Sequence, residues 1–152
     1  MKVVLINHSD TQGGAAVVSL RLIRTLVEAG IDARMLVTHP TLTDDPLVGE
    51  LGNPRANKLR FIAERLRIMM HNGANRGTLF KIDTCQYGAN AAAHPWVKDA
   101  DVVMLAWVNQ GTLSLKGIEQ IHRLGKPIVW VMHDMWNCTG VCHHAFSCEG
   151  YK

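Results

Sequence analysis

Residues 1–37 run in an order that leaves few folds open: an apolar run, a glycine-bearing polar loop, an amphipathic stretch, a single glycine, and a second apolar run. Val3-Val-Leu-Ile6 is continuous and β-branched in three of its four places, the signature of a strand buried on both faces. The polar loop Asn7 to Gly14 follows. Ala15 to Ala29 then places apolar residues at 16, 20, 23 and 27 on one face, with 22, 26 and 29 beside them and Arg21, Arg24 and Glu28 as its charged positions. That spacing predicts an amphipathic helix closed by Gly30. Ala33 to Val37 reads as the second strand. Strand, helix and strand make one βαβ unit, whose crossover is right-handed and whose sheet is parallel.

The rest of the chain extends the pattern. Thr38 to Asn57 holds three prolines and two glycines and reads as loop. Lys58 to His71 has helical period, with Leu59, Ile62, Leu66 and Met69 or Met70 expected inward and Lys58, Arg60, Arg65 and Arg67 as a solvated basic face. Asn72 to Gly88 carries no readable period, and Ala89 to Val97 has room for a short helix. Val102 to Trp107 predicts a third buried strand, Leu115 to Leu124 a helix closed by Gly125, and Ile128 to Met132 a fourth buried strand opened by Pro127, a tolerated first position. The expectation is one α/β domain over residues 1–152: a Rossmann-like parallel sheet with helices on both faces. A chain of this length buries roughly 68–70% of its unfolded surface and needs no staples.

Charge and hydropathy narrow the function classes. Sixteen Lys and Arg against thirteen Asp and Glu leave +3, too little to argue for nucleic acid but compatible with an anionic ligand or a peripheral contact with an anionic membrane face. No apolar run reaches the length of a bilayer span, and the N-terminal apolar run of four residues is too short for a secretion signal. A cytoplasmic protein, working at the inner face of the membrane or free of it, is expected. Its four cysteines are then reduced, metal-bound or reactive rather than paired.

Ligands of open parallel sheets bind beyond the carboxyl ends of the strands. Three strand ends here carry unusual chemistry and are expected to converge. Gly13-Gly14 precedes a helix N-terminus, where free N–H groups and the dipole suit a diphosphate, or else forms a tight turn without a ligand. Trp107 and Asn109 pair an aromatic plate with an amide, a sugar-binding combination, unless Trp107 is core. His133-Asp134 offers an imidazole to bond a sugar hydroxyl or shift protons, with the aspartate orienting it, or else a histidine bonded to nearby backbone. Cys138, Cys142 and Cys148 lie within eleven residues, with His143 and His144 between them, and this density suits Zn²⁺ although the spacing matches no standard short pattern. From Asp134 onward no period predicts a helix or strand, so a segment of this kind needs a crosslink to be held, and a loosely packed segment is expected after about Thr139. Cys85 is isolated and reads as structural.

Together these residues resemble the N-terminal domain of retaining glycosyltransferases of the GT-B class, in the family-4-like branch that builds colanic acid, capsule and lipopolysaccharide. The resemblance covers most of the chain. It is carried by Ile6-Asn-His-Ser-Asp-Thr-Gln-Gly-Gly-Ala-Ala16, by His94-Pro-Trp96 with Asp101-Val-Val-Met-Leu-Ala-Trp-Val-Asn109, and above all by Lys126-Pro-Ile-Val-Trp-Val-Met-His-Asp-Met-Trp136 with Thr139-Gly140, Cys142-His143, Cys148-Glu149 and Tyr151. The sequence departs from that pattern at Ala106, where the family has histidine, and at Asn137-Cys138, where a proline and an aromatic are common. Cys142 and Cys148 match it, and Cys138 does not.

The resemblance implies transfer of a sugar, with retention, from a nucleotide-diphosphate donor to a growing glycan or a lipid-linked acceptor. It implies that Gly13 and Gly14 face the diphosphate, that His133 lies at the reacting sugar, and that Trp107, Asn109 and Asp134 contact sugar. It further implies no cofactor for catalysis, and a C-terminal donor-binding domain outside these residues, so that the 152-residue chain alone is expected to be inactive. Cys142 and Cys148 are then expected to be two ligands of a structural zinc completed beyond Lys152. The rival reading, from another class, is a non-catalytic sugar- or nucleotide-binding module. A dinucleotide-cofactor domain is disfavoured, because the loop at Gly13 lacks the G-x-G-x-x-G fingerprint.

Overall fold

The computed structural model describes residues 1–145, Ser147 and Glu149. Five strands, β1 (Lys2–Ser9), β2 (Asp32–His39), β3 (Val48–Glu50), β4 (Val102–Leu105) and β5 (Ile128–Trp130), are interspersed with helices α1 (Gly14–Glu28), α2 (Pro54–His71), α3 (Pro95–Asp99), α4 (Leu115–His122) and α5 (Trp136–Thr139), β3 following β2 directly. Every strand pair is parallel and the order is β3-β2-β1-β4-β5. The fold is α/β and Rossmann-like.

Period two along β1 sorts the core into two faces. Val4 and Ile6 join Leu36, Val103 and Leu105 in a cluster completed by Val97, Ala100, Leu113 and Ile121. Val3 and Leu5 join Ala33, Met35 and Val37 against Leu20 and Ile23 of α1. Both faces are therefore covered, as continuous apolar strands require. From β1 the chain builds outward through β2 to β3, then returns to add β4 and β5 on the other side. The reversal lies between β1 and β4, so their carboxyl ends flank the crevice where such sheets bind ligands.

Several elements differ from the sequence expectation. The stretch expected to be loop from Thr38 to Asn57 contains the end of β2, the edge strand β3 and the start of α2. Three residues are too few to show a period. Asn53, whose Oδ1 accepts the N–H groups of Arg55 and Ala56, caps α2 ahead of Pro54. The fourth predicted strand is not buried: β5 is an edge strand of three residues, with Val129 46% exposed. Ala89 to Val97 holds a 3₁₀ turn at Ala91–Ala93 and the start of α3.

The largest correction concerns α2, which packs with the opposite face inward. Leu59 is 67% exposed and Met70 76%, and Ile62 and Leu66 are also exposed, whereas Asn57, Glu64, Arg65 and Ile68 are buried. The reason is what α2 covers. Residues 79–87 are irregular backbone whose polar groups need partners inside the fold. Glu64 accepts the N–H groups of Thr84, Gln86 and Tyr87 and the Thr84 hydroxyl. Arg65 donates to the Leu79 carbonyl at 2.6 Å and pairs with the buried Asp83 carboxylate.

The segment after Asp134 also departs from expectation. Residues 136–139 form α5, and Trp136 is buried with its Nε1 donating to the Asp83 carbonyl at 2.8 Å. Ile82 and Cys142 form an antiparallel bridge, with Asp83 N–H donating to Val141 O and His143 N–H to Lys81 O. Backbone pairing to residues 81–83 and a buried tryptophan supply the cohesion for which sequence reasoning invoked a crosslink.

Candidate functional site

A cleft of about 520 Å³ opens at the carboxyl ends of β1 and β4. It is lined by residues 12–15 of the loop and first turn of α1, by Phe80 and Lys81, by Trp107, by His133 and Asp134, and by His143 and His144. The size suits a small-molecule ligand. Of the residues singled out from sequence, Gly13, Gly14, Trp107, His133 and Asp134 meet here.

Asn109 does not line this cleft. It is 2% exposed, and its amide donates to Cys85 Sγ at 3.3 Å, so it braces the loop after β4. Burial, reinforced by the neighbouring Asp83 carboxylate, pushes the Cys85 thiol upward, which makes it an inert packing group. Cys138 is exposed and Cys142 half-buried, while Cys148 lies outside the described residues. Among the described residues no three His, Cys, Asp or Glu side chains group to hold a metal.

Gly13 and Gly14 serve different ends. Gly13 has φ 89° and ψ 165°, a backbone that side chains resist. Gly14 begins α1 with φ outside that region, and a Cβ built on it meets nothing within 4 Å. The chain itself therefore makes no demand for glycine at 14, and the missing side chain leaves the backbone open to close approach. The N-terminus of α1 has no side-chain cap and no acidic residue in its first turn. Its free N–H groups and positive dipole end thus face the cleft unopposed.

Asp134 organises the opposite part of the site. Its Oδ2 accepts Trp107 Nε1–H at 2.9 Å and lies 2.6 Å from His143 Nδ1, and its Oδ1 accepts the Trp136 N–H at 3.0 Å. Its side chain is 11% exposed. The carboxylate was expected to touch sugar, but the contacts it makes are to protein: it fixes an aromatic ring, an imidazole and the start of α5. Trp107 is held further by its N–H, which donates to Asn7 Oδ1 at 2.8 Å, and by its carbonyl, which accepts the His8 N–H at 2.9 Å.

Sequence reasoning missed His143, His8 and Asp10. His143 was visible only as a possible stand-in metal ligand, because nothing local shows that residues 134 and 143 meet. His8 packs edge-on to Trp107 at 5.6 Å and against His39 at 4.6 Å, and its Nδ1 lies 2.8 Å from Thr112 Oγ1. Burial, with His39 adding to it, lowers its pKa to about 4. Asp10 accepts the N–H groups of Thr41 and Leu42, tying the loop after β2 to the end of β1. Although burial opposes it, these bonds and that of the Thr41 hydroxyl hold its carboxyl below the usual carboxylate range. No helix among the described residues is long and apolar enough to cross a membrane. Comparison with family models, curated proteins and solved structures finds no match to this chain.

Proposed function

We propose that this chain is the acceptor-side, Rossmann-like domain of a retaining glycosyltransferase that moves a sugar from a nucleotide-diphosphate donor to a bacterial glycan or a lipid-linked acceptor. One observation carries the reading: the Gly13-Gly14 loop, Trp107 and His133, far apart in sequence, line a single cleft at the point where strand order reverses. The uncapped N-terminus of α1 suits a diphosphate. The fixed Trp107 ring suits the CH face of a sugar. His133, whose Nε2 is buried without a hydrogen-bond partner, suits a hydroxyl or the developing charge at the reacting carbon.

A transfer assay with UDP- and GDP-sugars tests the reading. Catalysis needs donor and acceptor held together at near-attack distance, so the 152-residue chain alone is expected to transfer nothing. The protein with its donor-binding domain is expected to transfer sugar with retention, and His133→Ala to lower turnover by roughly 10²–10³ without loss of fold. Transfer by the isolated chain, or unchanged turnover with a lowered melting temperature in His133→Ala, would place the chemistry elsewhere.

A further inference from the structure

We propose that His143 accepts a hydrogen bond from a carbohydrate hydroxyl and that Asp134 is its positioning residue, so that Asp134, His143 and Trp107 form a neutral-sugar subsite within the cleft; the proposal rests on the carbohydrate reading of that cleft. Among the described residues, buried side-chain nitrogens and oxygens without a partner are Ser19 Oγ, Arg65 Nε, Arg67 Nε, His133 Nε2 and His143 Nε2. The two histidines both line this cleft. The His143 side chain is only 8% exposed, and its Nε2 has no partner among the described protein groups.

The carboxylate decides what that nitrogen can do. Ionised Asp134 only accepts, so His143 Nδ1, 2.6 Å from Oδ2, must donate. In the neutral ring the single proton then sits on Nδ1, and Nε2 keeps its lone pair. A lone pair in this position calls for an O–H or N–H donor. Phosphate oxygens that carry charge offer none, whereas sugar hydroxyls do. The Trp107 ring lies 5.7 Å from the His143 ring at an interplanar angle of 37°, and its Nε1–H is already spent on the same carboxylate oxygen. What Trp107 has left to offer is its face, which stacks on the CH groups of a sugar. A directional acceptor beside an aromatic plate selects a neutral polyhydroxyl ring, and leaves the diphosphate to the N-terminus of α1.

Two measurements on the 152-residue chain test the assignment. Ring-¹⁵N NMR at pH 8 is expected to show His143 as the Nδ1–H tautomer in the wild type, with that preference lost in Asp134→Asn. Saturation-transfer NMR then uses the methyl α-glycosides of glucose, mannose and galactose, with inorganic phosphate as a separate probe. At least one glycoside is expected to bind. His143→Phe, which keeps a ring and removes the acceptor, is expected to weaken that binding about tenfold, as loss of one buried hydrogen bond implies, with partial recovery in His143→Gln. Phosphate binding is expected to be the same in all three. An Nε2–H tautomer in the wild type overturns the proposal even if the variants fail to fold. Equal glycoside affinity in wild type and His143→Phe overturns it while leaving the carbohydrate reading in place. Failure of every glycoside to bind the wild type removes both.

Discussion

Gly14 in the cleft lining and His8 packed against Trp107 show how single residues separate the needs of the chain from those of a ligand. Gly14 sits in the first turn of α1 with open space where a side chain would go. Gly14→Ala is therefore expected to stabilise the fold by about 0.4–1 kcal/mol, because it restricts the unfolded chain without straining the folded one. It is also expected to weaken UDP binding, since the methyl group stands where backbone would approach phosphate; urea unfolding and calorimetric titration read the two effects. Unchanged UDP affinity would mean that the loop serves only as a turn. Gly13→Ala, by contrast, meets φ 89° and should cost roughly 1–3 kcal/mol. His8 sets a pH dependence. Its folded pKa of about 4 lies below the unfolded 6.5, so between those values the unfolded chain binds the extra proton. Stability is then full above pH 6.5, falls on acidification, and has lost this contribution near pH 4, a difference on the order of 3 kcal/mol. Urea unfolding at pH 7 and pH 4.5 should show a smaller drop in His8→Gln than in the wild type; equal drops would assign acid sensitivity to other groups.

At the scale of elements, α2 is the instructive one. Its period was legible, and its N-terminus was hidden only because Pro54 was read as loop rather than as the first helical residue. The face it buries was not legible, because hydrophobic period assumes an apolar neighbour. Here the neighbour is irregular backbone, and Glu64 and Arg65 face it. Asp83 is the centre of that arrangement. It pairs with Arg65 and accepts N–H groups from Cys85 at 3.0 Å and Gln110 at 2.8 Å, which links α2 to the loops after residue 82 and after β4. Removing one partner leaves a buried guanidinium uncompensated, so Asp83→Ala is expected to cost about 3–5 kcal/mol. Because residues 81–83 also carry the bridge to 141–143, hydrogen exchange should speed up at His143 in that variant. A loss below about 0.5 kcal/mol, within the range of ordinary surface changes, would show the network to be dispensable.

For the whole molecule, the sheet was legible because β1 and β4 carry continuous apolar runs and that of β2 is broken only by Arg34, and the strand ends then predict Gly13, Gly14, Trp107, Asn109, His133 and Asp134 on one edge. What remained unreadable depends on pairings distant in sequence: Ile82 with Cys142, Trp136 with the Asp83 carbonyl, and Asp134 with His143. None leaves a local period or spacing, and the last moves a role: Asp134, expected to contact sugar and to orient His133, holds the His143 imidazole instead. Asn109, expected on the same edge, does not line the cleft for a related reason, since its amide is taken up by Cys85 inside the fold. The central claim is that these converging segments form one binding cleft for a nucleotide-diphosphate sugar. The direct test is a titration of the ¹⁵N-labelled chain with UDP-glucose and GDP-mannose, followed by NMR. The account predicts saturable shifts at the Gly13 and Gly14 amides, at Trp107 Nε1 and at the rings of His133 and His143, for at least one of the two. Shifts confined to residues outside this cleft, or none with either nucleotide sugar at millimolar concentration, would contradict it.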